Sequence, residues 1–288
     1  MATYEAFYGF HEPPFNLTPD PKFLFMTPDQ REALAYLAYG VQERKGFLVL
    51  TGEVGVGKTL IIRTLLNQLD ESVDTAIVMN AMLTFKQLLQ MALIDFGLAV
   101  QGRGKVDMLL AFQQYLLRLR DAGRNAVLVI DEAQNLTAHA LEEFRLLSNL
   151  ETSAQKLIQI ILVGQPELKS LLSSQNLRQL RQRIPGIWEL RPLEPAGVGE
   201  YIEHRVRIAS RGRVGGLFDE DAADEVARYS KGIPRLINVL CDRALLIGYV
   251  HDQKRLGGAT VRSAIQELER GYHGATPSGQ IARTGAGG

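Results

Sequence analysis

The chain has 288 residues, enough for one large or two ordinary domains, and its 46% hydrophobic share is that of a protein with sizeable cores rather than a disordered tail. Its 32 lysines and arginines balance 32 aspartates and glutamates, so the net charge does not mark a general nucleic-acid or membrane binder, and only a local basic face stays open. The single cysteine, Cys241, excludes an intramolecular disulfide framework, suits a reducing cytosol and reads as a small core residue in an apolar helical pattern.

The N-terminus carries acids, aromatics and prolines instead of a basic region followed by an apolar one, which argues against a secretory signal. No run reaches the roughly 18 apolar residues that a membrane span needs. Seven of the 21 aromatic residues fall within the first 25 positions: Tyr4, Phe7, Tyr8, Phe10, Phe15, Phe23 and Phe25. Broken by "PP" and "PDP", this stretch is expected to be no regular helix but an arm, residues 1–28, with enough apolar area to dock on the folded core. Two roles stay open for it: a plain strap, or a cover for a bound base or a neighbouring subunit.

A helix is predicted over 29–42 and a strand over 47–50, and then comes "GEVGVGKT". Gly52, four residues, and Gly57-Lys58-Thr59 match the phosphate-binding P-loop pattern without a mismatch. Glycines at 52, 55 and 57 permit positive φ angles and close approach, so the backbone N–H groups of Gly52, Glu53, Val54, Gly55, Val56, Gly57, Lys58, Thr59 and Leu60 can form an anion-binding nest at a helix start. Lys58 can reach the β and γ phosphates, and the Thr59 hydroxyl can join a magnesium shell. The bland alternative is a glycine-rich turn that only joins strand to helix.

Further strands are predicted over 75–79, 126–130 and 158–163, with a weaker one over 187–190. Leu88, Leu89, Ala92, Leu93 and Phe96 recur at helical spacing behind the capping-box sequence "TFKQ", and another helix is predicted over 106–119. Short continuous apolar strands alternating with helices describe an α/β parallel sheet covered on both faces, in a domain over 29–193. The strand in "NAVLVIDEAQNL" ends in Asp131-Glu132, where strand carboxyl ends meet the ligand crevice of such sheets. Asp131 can bind magnesium beside the P-loop and Glu132 can orient and deprotonate an attacking water, against the alternative of a solvated acidic pair. Gln165, just past the next strand, can contact a γ phosphate or hold that water, or it can simply form a turn with Gly164 and Pro166.

From "PLEPAG" onward the pattern is helical, over 194–273. Ala222, Ala223, Val226 and Ala227 make one stripe, Ile233, Leu236, Ile237, Leu240 and Ala244 a second, and Val261, Ala264, Ile265, Leu268 and Tyr272 a third. Arg235 opens the helix in "KGIPRLINVL" and can swing over phosphates if this bundle closes as a lid, or it can be a surface arginine. The stretch 274–288 has too little apolar content to pack and is expected to be a flexible tail. His11, His139, His204, His251 and His273 lack metal-ligand spacing, and neither a "GxSxG" elbow nor a cysteine pair is present.

Taken in order, "FYGFHEPPFNLTPDPKFLF", "GEVGVGKT", "VLVIDEAQNL", "LLSNLE", "ILVGQPEL", "LRQRI" and "GIPRLINVLCDRAL" resemble the AAA+ ATPases, and within them the ExeA/GspA (general secretion pathway protein A) family, over about residues 4–272. The opening aromatic signature and "GQPEL" are specific to that family, whereas the P-loop and "DE" occur in very many ATPases. The resemblance implies a five-stranded parallel sheet of the P-loop NTPase (AAA+) order followed by a small all-α lid. It implies ATP and Mg2+ as cofactors, with Lys58 and Thr59 on phosphate and metal, Asp131 on metal, Glu132 as catalytic base, Gln165 as first sensor and Arg235 as second sensor. It also implies an arginine finger reaching into the next subunit of a homo-oligomer. Arg183 holds the position of such fingers, with Arg178 and Arg181 as competitors. A trans arginine is worth about a thousand-fold or more in rate, so an isolated monomer is expected to be nearly idle.

Secretion-type members commonly continue past the lid into a membrane-spanning helix and a periplasmic cell-wall-binding part, whereas this chain runs from the lid into a glycine-rich tail, which puts those two functions in doubt here. Two function classes follow. In one, an ATP-driven oligomer acts on protein partners in bacterial envelope assembly (a secretion system, pilus or exopolysaccharide apparatus), in the cytoplasm or at the inner face of the inner membrane. In the other it binds DNA, as the similar TnsC/MuB transposition regulators do. The eight arginines from 178 to 213 suit a DNA-facing pore, but they suit fingers and subunit ion pairs as well, and only Trp188 and Tyr201 offer stacking there. A nucleotide-gated switch that seldom hydrolyses is a third class.

Overall fold

The computed structural model describes residues 3–79, 82–100, 102, 104–150 and 156–273, the side chains of 271–273 excepted. The tail expected over 274–288 and the Tyr272 side chain therefore lie outside the described residues. In chain order the elements are α1 (Tyr4–Tyr8), α2 (Pro28–Gln42), β1 (Phe47–Gly52), α3 (Lys58–Gln68), β2 (Val73–Val78), α4 (Phe85–Asp95), α5 (Lys105–Asp121), β3 (Asn125–Ile130), α6 (Ala138–Leu147), β4 (Gln159–Gly164), α7 (Glu167–Leu172), α8 (Arg178–Arg181), β5 (Ile187–Leu190), α9 (Pro195–Ala209), α10 (Glu220–Ser230), α11 (Pro234–Val250) and α12 (Gly258–His273). They fall into two compact units: residues 18–192 form one, and the described residues up to 17 together with those from 193 onward form the other.

The first unit is built on a five-stranded sheet of order β2-β3-β4-β1-β5 in which every neighbouring pair is parallel. β1, β3 and β4 are buried along their whole length, which is why each reads as an unbroken apolar run. Alternate residues serve opposite faces. Phe47, Val49, Leu128, Ile130, Ile160 and Leu162 pack with Leu88, Leu93, Phe112 and Phe144 of α4, α5 and α6. Leu48, Leu50, Val127, Val129, Ile161 and Val163 pack with Leu37 of α2 and with Ile61 and Leu65 of α3. Helix starts are set locally: Thr27 and Gln30 form a reciprocal capping box ahead of Pro28, and Thr84 and Gln87 form the one read from "TFKQ". Each such cap stabilises its helix by about 1 kcal/mol.

The N-terminal arm differs from expectation in two ways. Tyr4–Tyr8 is a short helix, closed by Gly9 at φ 77°, because Pro13 and Pro14 forbid helix only in their own neighbourhood and leave the first turns free. Nor does the arm pack as one piece over 1–28. Residues 3–17 belong to the helical unit: His11 N–H donates to Ala209 O at 2.8 Å, Arg205 Nε donates to Pro14 O at 2.6 Å, and Tyr4 OH donates to Asp242 Oδ1 at 2.6 Å. From Thr18 the chain belongs to the sheet unit, where Arg63 on α3 donates to Pro19 O at 2.6 Å and Leu24 and Met26 pack against the α2–α3 side of the core. The prolines stiffen both halves, and the aromatic side chains on each side of Leu17 find different cores.

In the helical unit, Phe15 is 2% exposed and meets Phe218 edge-to-face with ring centroids 5.9 Å apart. Phe15→Ala is expected to destabilise this unit by about 3–5 kcal/mol through lost burial and the cavity left behind. A denaturant midpoint unchanged by the substitution would show that the arm is not part of this core. Leu236, expected on the inward stripe of α11, is instead 38% exposed, because Ile237, Leu240, Cys241 and Ala244 fill the buried face.

Candidate functional site

The loop between β1 and α3 is shaped by its glycines. Gly55 (φ 85°) and Gly57 (φ 107°) occupy left-handed backbone that a side chain disfavours, and Gly57 is the residue from which α3 starts, its carbonyl accepting from Ile61 N–H at 3.0 Å. Gly52 serves differently from expectation. Its backbone is close to extended, and the glycine is needed because a Cβ there would stand 2.6 Å from the Leu190 carbonyl oxygen, where β1 and β5 lie in register. Val56 is buried and anchors the loop, Val54 is half exposed, and Thr59 and Leu60 follow Lys58 in the first turn of α3.

Lys58 is buried, and its Nζ donates to Gly52 O at 2.7 Å and Glu53 O at 3.0 Å. Burial lowers its pKa, opposed by the negative charges of Glu132 and Asp131. Thr59 Oγ1 donates to Asp131 Oδ2 at 3.2 Å, which ties the first turn of α3 to the end of β3. Asp131 is buried too, and desolvation raises its pKa against the bonds from the Glu132 N–H and the Thr59 hydroxyl. The site thus holds a buried ammonium bonded to neutral carbonyls and a desolvated carboxylate beside a hydroxyl, opposite charges whose attraction offsets their burial only in part. That donor set fits a polyphosphate with a divalent cation, since magnesium is held by one or two carboxylates together with substrate phosphates.

Glu132 stands beyond the strand in the left-handed region at φ 53°, ψ 37°, an outlier for a residue with a Cβ. Its N–H donates to Asp131 Oδ1 at 2.9 Å. Its carboxylate Oε2 accepts from Gln165 Nε2 at 3.3 Å and from Gln134 Nε2 at 2.5 Å. Gln134 carries no motif signal apart from its place in "DEAQ". Its reach back to residue 132 depends on the 3₁₀ turn Ala133–Asn135 that follows the acids.

The structure thus brings together Gly52, Lys58, Thr59, Asp131, Glu132 and Gln165, from the ends of β1, β3 and β4, which are adjacent in the sheet. It does not bring Arg183 or Arg235 into that set of bonds. Arg183 follows α8, and its Nη1 donates to Ser148 Oγ at 3.4 Å. Arg178 and Arg181 are exposed on α8, with Arg181 Nη1 donating to Ser173 O at 3.1 Å. Arg235 is an exposed residue in the first turn of α11, in the helical unit. The arginines expected together on one basic face divide further, because Arg205 is 5% exposed and spends its donors inside the helical unit on Pro14 O, Asn16 O and Tyr201 OH.

Residues 41–172 match the AAA domain family. The chain is 41% identical over 266 residues to general secretion pathway protein A of Aeromonas hydrophila, an alignment covering 92% of this chain and 48% of that protein, so the chain spans about half the length of this relative. Among solved structures, the ORC2 protein of Aeropyrum pernix in its ADPNP–ADP complexes superposes with TM-score 0.69 at 20% identity, covering 90% of this chain and 72% of that one. Cdc6p from Pyrobaculum aerophilum gives TM-score 0.69 at 18% identity, with 88% and 70% covered. The Aeropyrum pernix ORC1 protein in complex with DNA gives 0.66 at 19%, with 91% and 70% covered. These structural likenesses establish the fold: a P-loop AAA+ sheet accompanied by a helical C-terminal region.

Proposed function

This chain belongs to the AAA domain family, on the branch represented by general secretion pathway protein A, and from that premise we propose that it binds and hydrolyses ATP as a homo-oligomer acting on a protein partner in bacterial envelope assembly. The observation that carries the catalytic half is the 3.2 Å bond from Thr59 to Asp131, because it unites the phosphate-binding loop and the acidic strand end in one site. In this reading the loop N–H groups and Lys58 hold the triphosphate, Thr59 and Asp131 hold Mg2+, Glu132 accepts the proton of the attacking water, and Gln165 orients that water or the γ phosphate. A metal held by Thr59 and Asp131 would neutralise the charge of the phosphate groups. Arg235 is the proposed second sensor.

The partner half rests on the likeness to a secretion protein, which covers 92% of this chain and 48% of that protein. On the same likeness we place the protein in the cytoplasm or, through its partner, at the inner face of the inner membrane. Among the described residues no helix is long and apolar enough to cross a membrane. The DNA-binding alternative is weakened by the interior position of Arg205, which removes one cation from the basic stretch. ATP turnover measured against protein concentration, with and without duplex DNA, separates the two. A cooperative rise with concentration alone supports the partner-acting oligomer, and strong stimulation by DNA overturns it in favour of a transposition-type regulator.

Arg183 is the proposed finger in trans, which accords with a side chain bonded to Ser148 rather than to the acids of its own chain. Arg183→Ala should leave ATP affinity within about twofold and lower turnover about a thousand-fold. Mixing it with Glu132→Gln protein should restore part of the rate, since each supplies what the other lacks. Mixed assemblies with no recovery would move the finger to Arg178 or Arg181.

A further inference from the structure

Gln134 stands two residues after the acidic pair and joins two of the site's elements through one planar amide. Its Nε2 donates to Glu132 Oε2 at 2.5 Å while its Oε1 accepts from the Gln165 backbone N–H at 3.0 Å. The Gln165 side chain closes the ring on the same Glu132 oxygen at 3.3 Å. Donating to a carboxylate and accepting from a backbone N–H at once needs a side chain with both a donor and an acceptor, which the amide supplies at its two ends; a carboxylate lacks the donor, an ammonium or guanidinium lacks the acceptor.

The surroundings hold this amide in place. A Cβ at Gly164 would stand 2.7 Å from Gln134 Oε1 and 3.0 Å from Leu168 Cδ2, so the glycine at the end of β4 leaves the space that the amide fills. Ala133 is fully buried and Leu136 nearly so, which pins the 3₁₀ turn carrying Gln134 to the core on both sides. Glu132 itself sits in a disfavoured left-handed conformation and depends on its neighbours for its orientation.

We infer that Gln134 is a positioning residue that couples the end of β4 to the carboxylate of Glu132, so that a shift of the Gln165 backbone re-aims the proposed base. The consequence of the coupling rests on the ATPase reading above, but the hydrogen-bond relay itself does not. It gives the site a means of regulation: a group that moves the Gln165 backbone would act on Glu132 through Gln134, alongside the direct bond from the Gln165 side chain.

The test uses Gln134→Met, which keeps length and approximate volume and removes both donor and acceptor. We expect kcat to fall by about 10- to 100-fold while KM and the ATP Kd stay within about twofold. In a Glu132→Gln background the same substitution should cost less than about twofold more, because it acts through the carboxylate already replaced. An unchanged kcat, or a full additive loss in the double variant, overturns the inference. Amide exchange in the nucleotide-free chain separates this inference from the ATPase reading. Both Gln134→Met and Glu132→Ala should speed exchange at Gln165 by about tenfold, the second because it releases Gln134 from its acceptor. If the wild-type chain never hydrolyses ATP but both variants show the acceleration, the ATPase function is lost and the relay is kept. No acceleration at Gln165 in Glu132→Ala overturns the relay whatever the turnover.

Discussion

Replacing Lys58 by alanine should abolish tight ATP binding, with an affinity loss of at least about a hundred-fold. The ammonium is buried and donates to Gly52 O and Glu53 O, so it stands inside the loop that begins α3 and not on a solvated surface. A charge-assisted bond to phosphate is worth about 1.5–3 kcal/mol, and two of them correspond to a factor of about 10² to 10⁴. The fold should tolerate the change, because the bonds lost in the free protein go to neutral carbonyls and a desolvated charge is removed with them. A nucleotide titration decides the matter, with a denaturation curve as control. Wild-type affinity in a folded Lys58→Ala chain would refute the phosphate site.

Glu132→Gln should bind ATP as the wild type does and turn it over about 10² to 10⁴ times more slowly, the range that general-base catalysis contributes. The replacement is close to isosteric. Its amide oxygen can still accept from Gln134 Nε2 and Gln165 Nε2, so the local bonds survive while the proton acceptor is lost. Asp131 and Thr59 remain to hold the metal proposed for them. With hydrolysis stalled, the ATP-bound assembled state should accumulate, which sizing with and without ATP would register. Normal turnover by this variant removes Glu132 from the mechanism and leaves the pair at 131–132 as a metal-binding and structural feature.

The central strands were legible because a parallel sheet buried on both faces demands mostly apolar side chains, and the run at 126–130 coincides within one residue with Asn125–Ile130. The weaker run at 187–190 coincides with Ile187–Leu190, an edge strand buried only at Leu190. The phosphate loop was legible for a different reason: backbone angles and close approaches of its kind admit few residues other than glycine, and Gly55 and Gly57 occupy those angles. Gly52 shows the limit of that logic. Its spacing marks it, yet its constraint is the carbonyl of Leu190, 138 positions later in the chain. The helix at Tyr4–Tyr8 escaped notice because two prolines nearby dominate the local signal, although they act only on their own neighbourhood.

What the sequence alone determined is the set of local demands: an alternation of apolar runs that closes into a covered parallel sheet, a glycine-spaced loop suited to phosphate, and two acids at a strand end. Those follow from periodicity, backbone freedom and charge, all of which act between near neighbours. The tertiary structure decided which distant groups meet. It parted the aromatic arm at Leu17 and sent its first half to the helical unit, turned Arg205 inward onto Pro14, and set the amide of Gln134 between Glu132 and Gln165. These outcomes depend on hydrogen bonds and burial between residues tens to hundreds of positions apart, or on a tight turn whose direction is set by the core beneath it, and no local pattern records either.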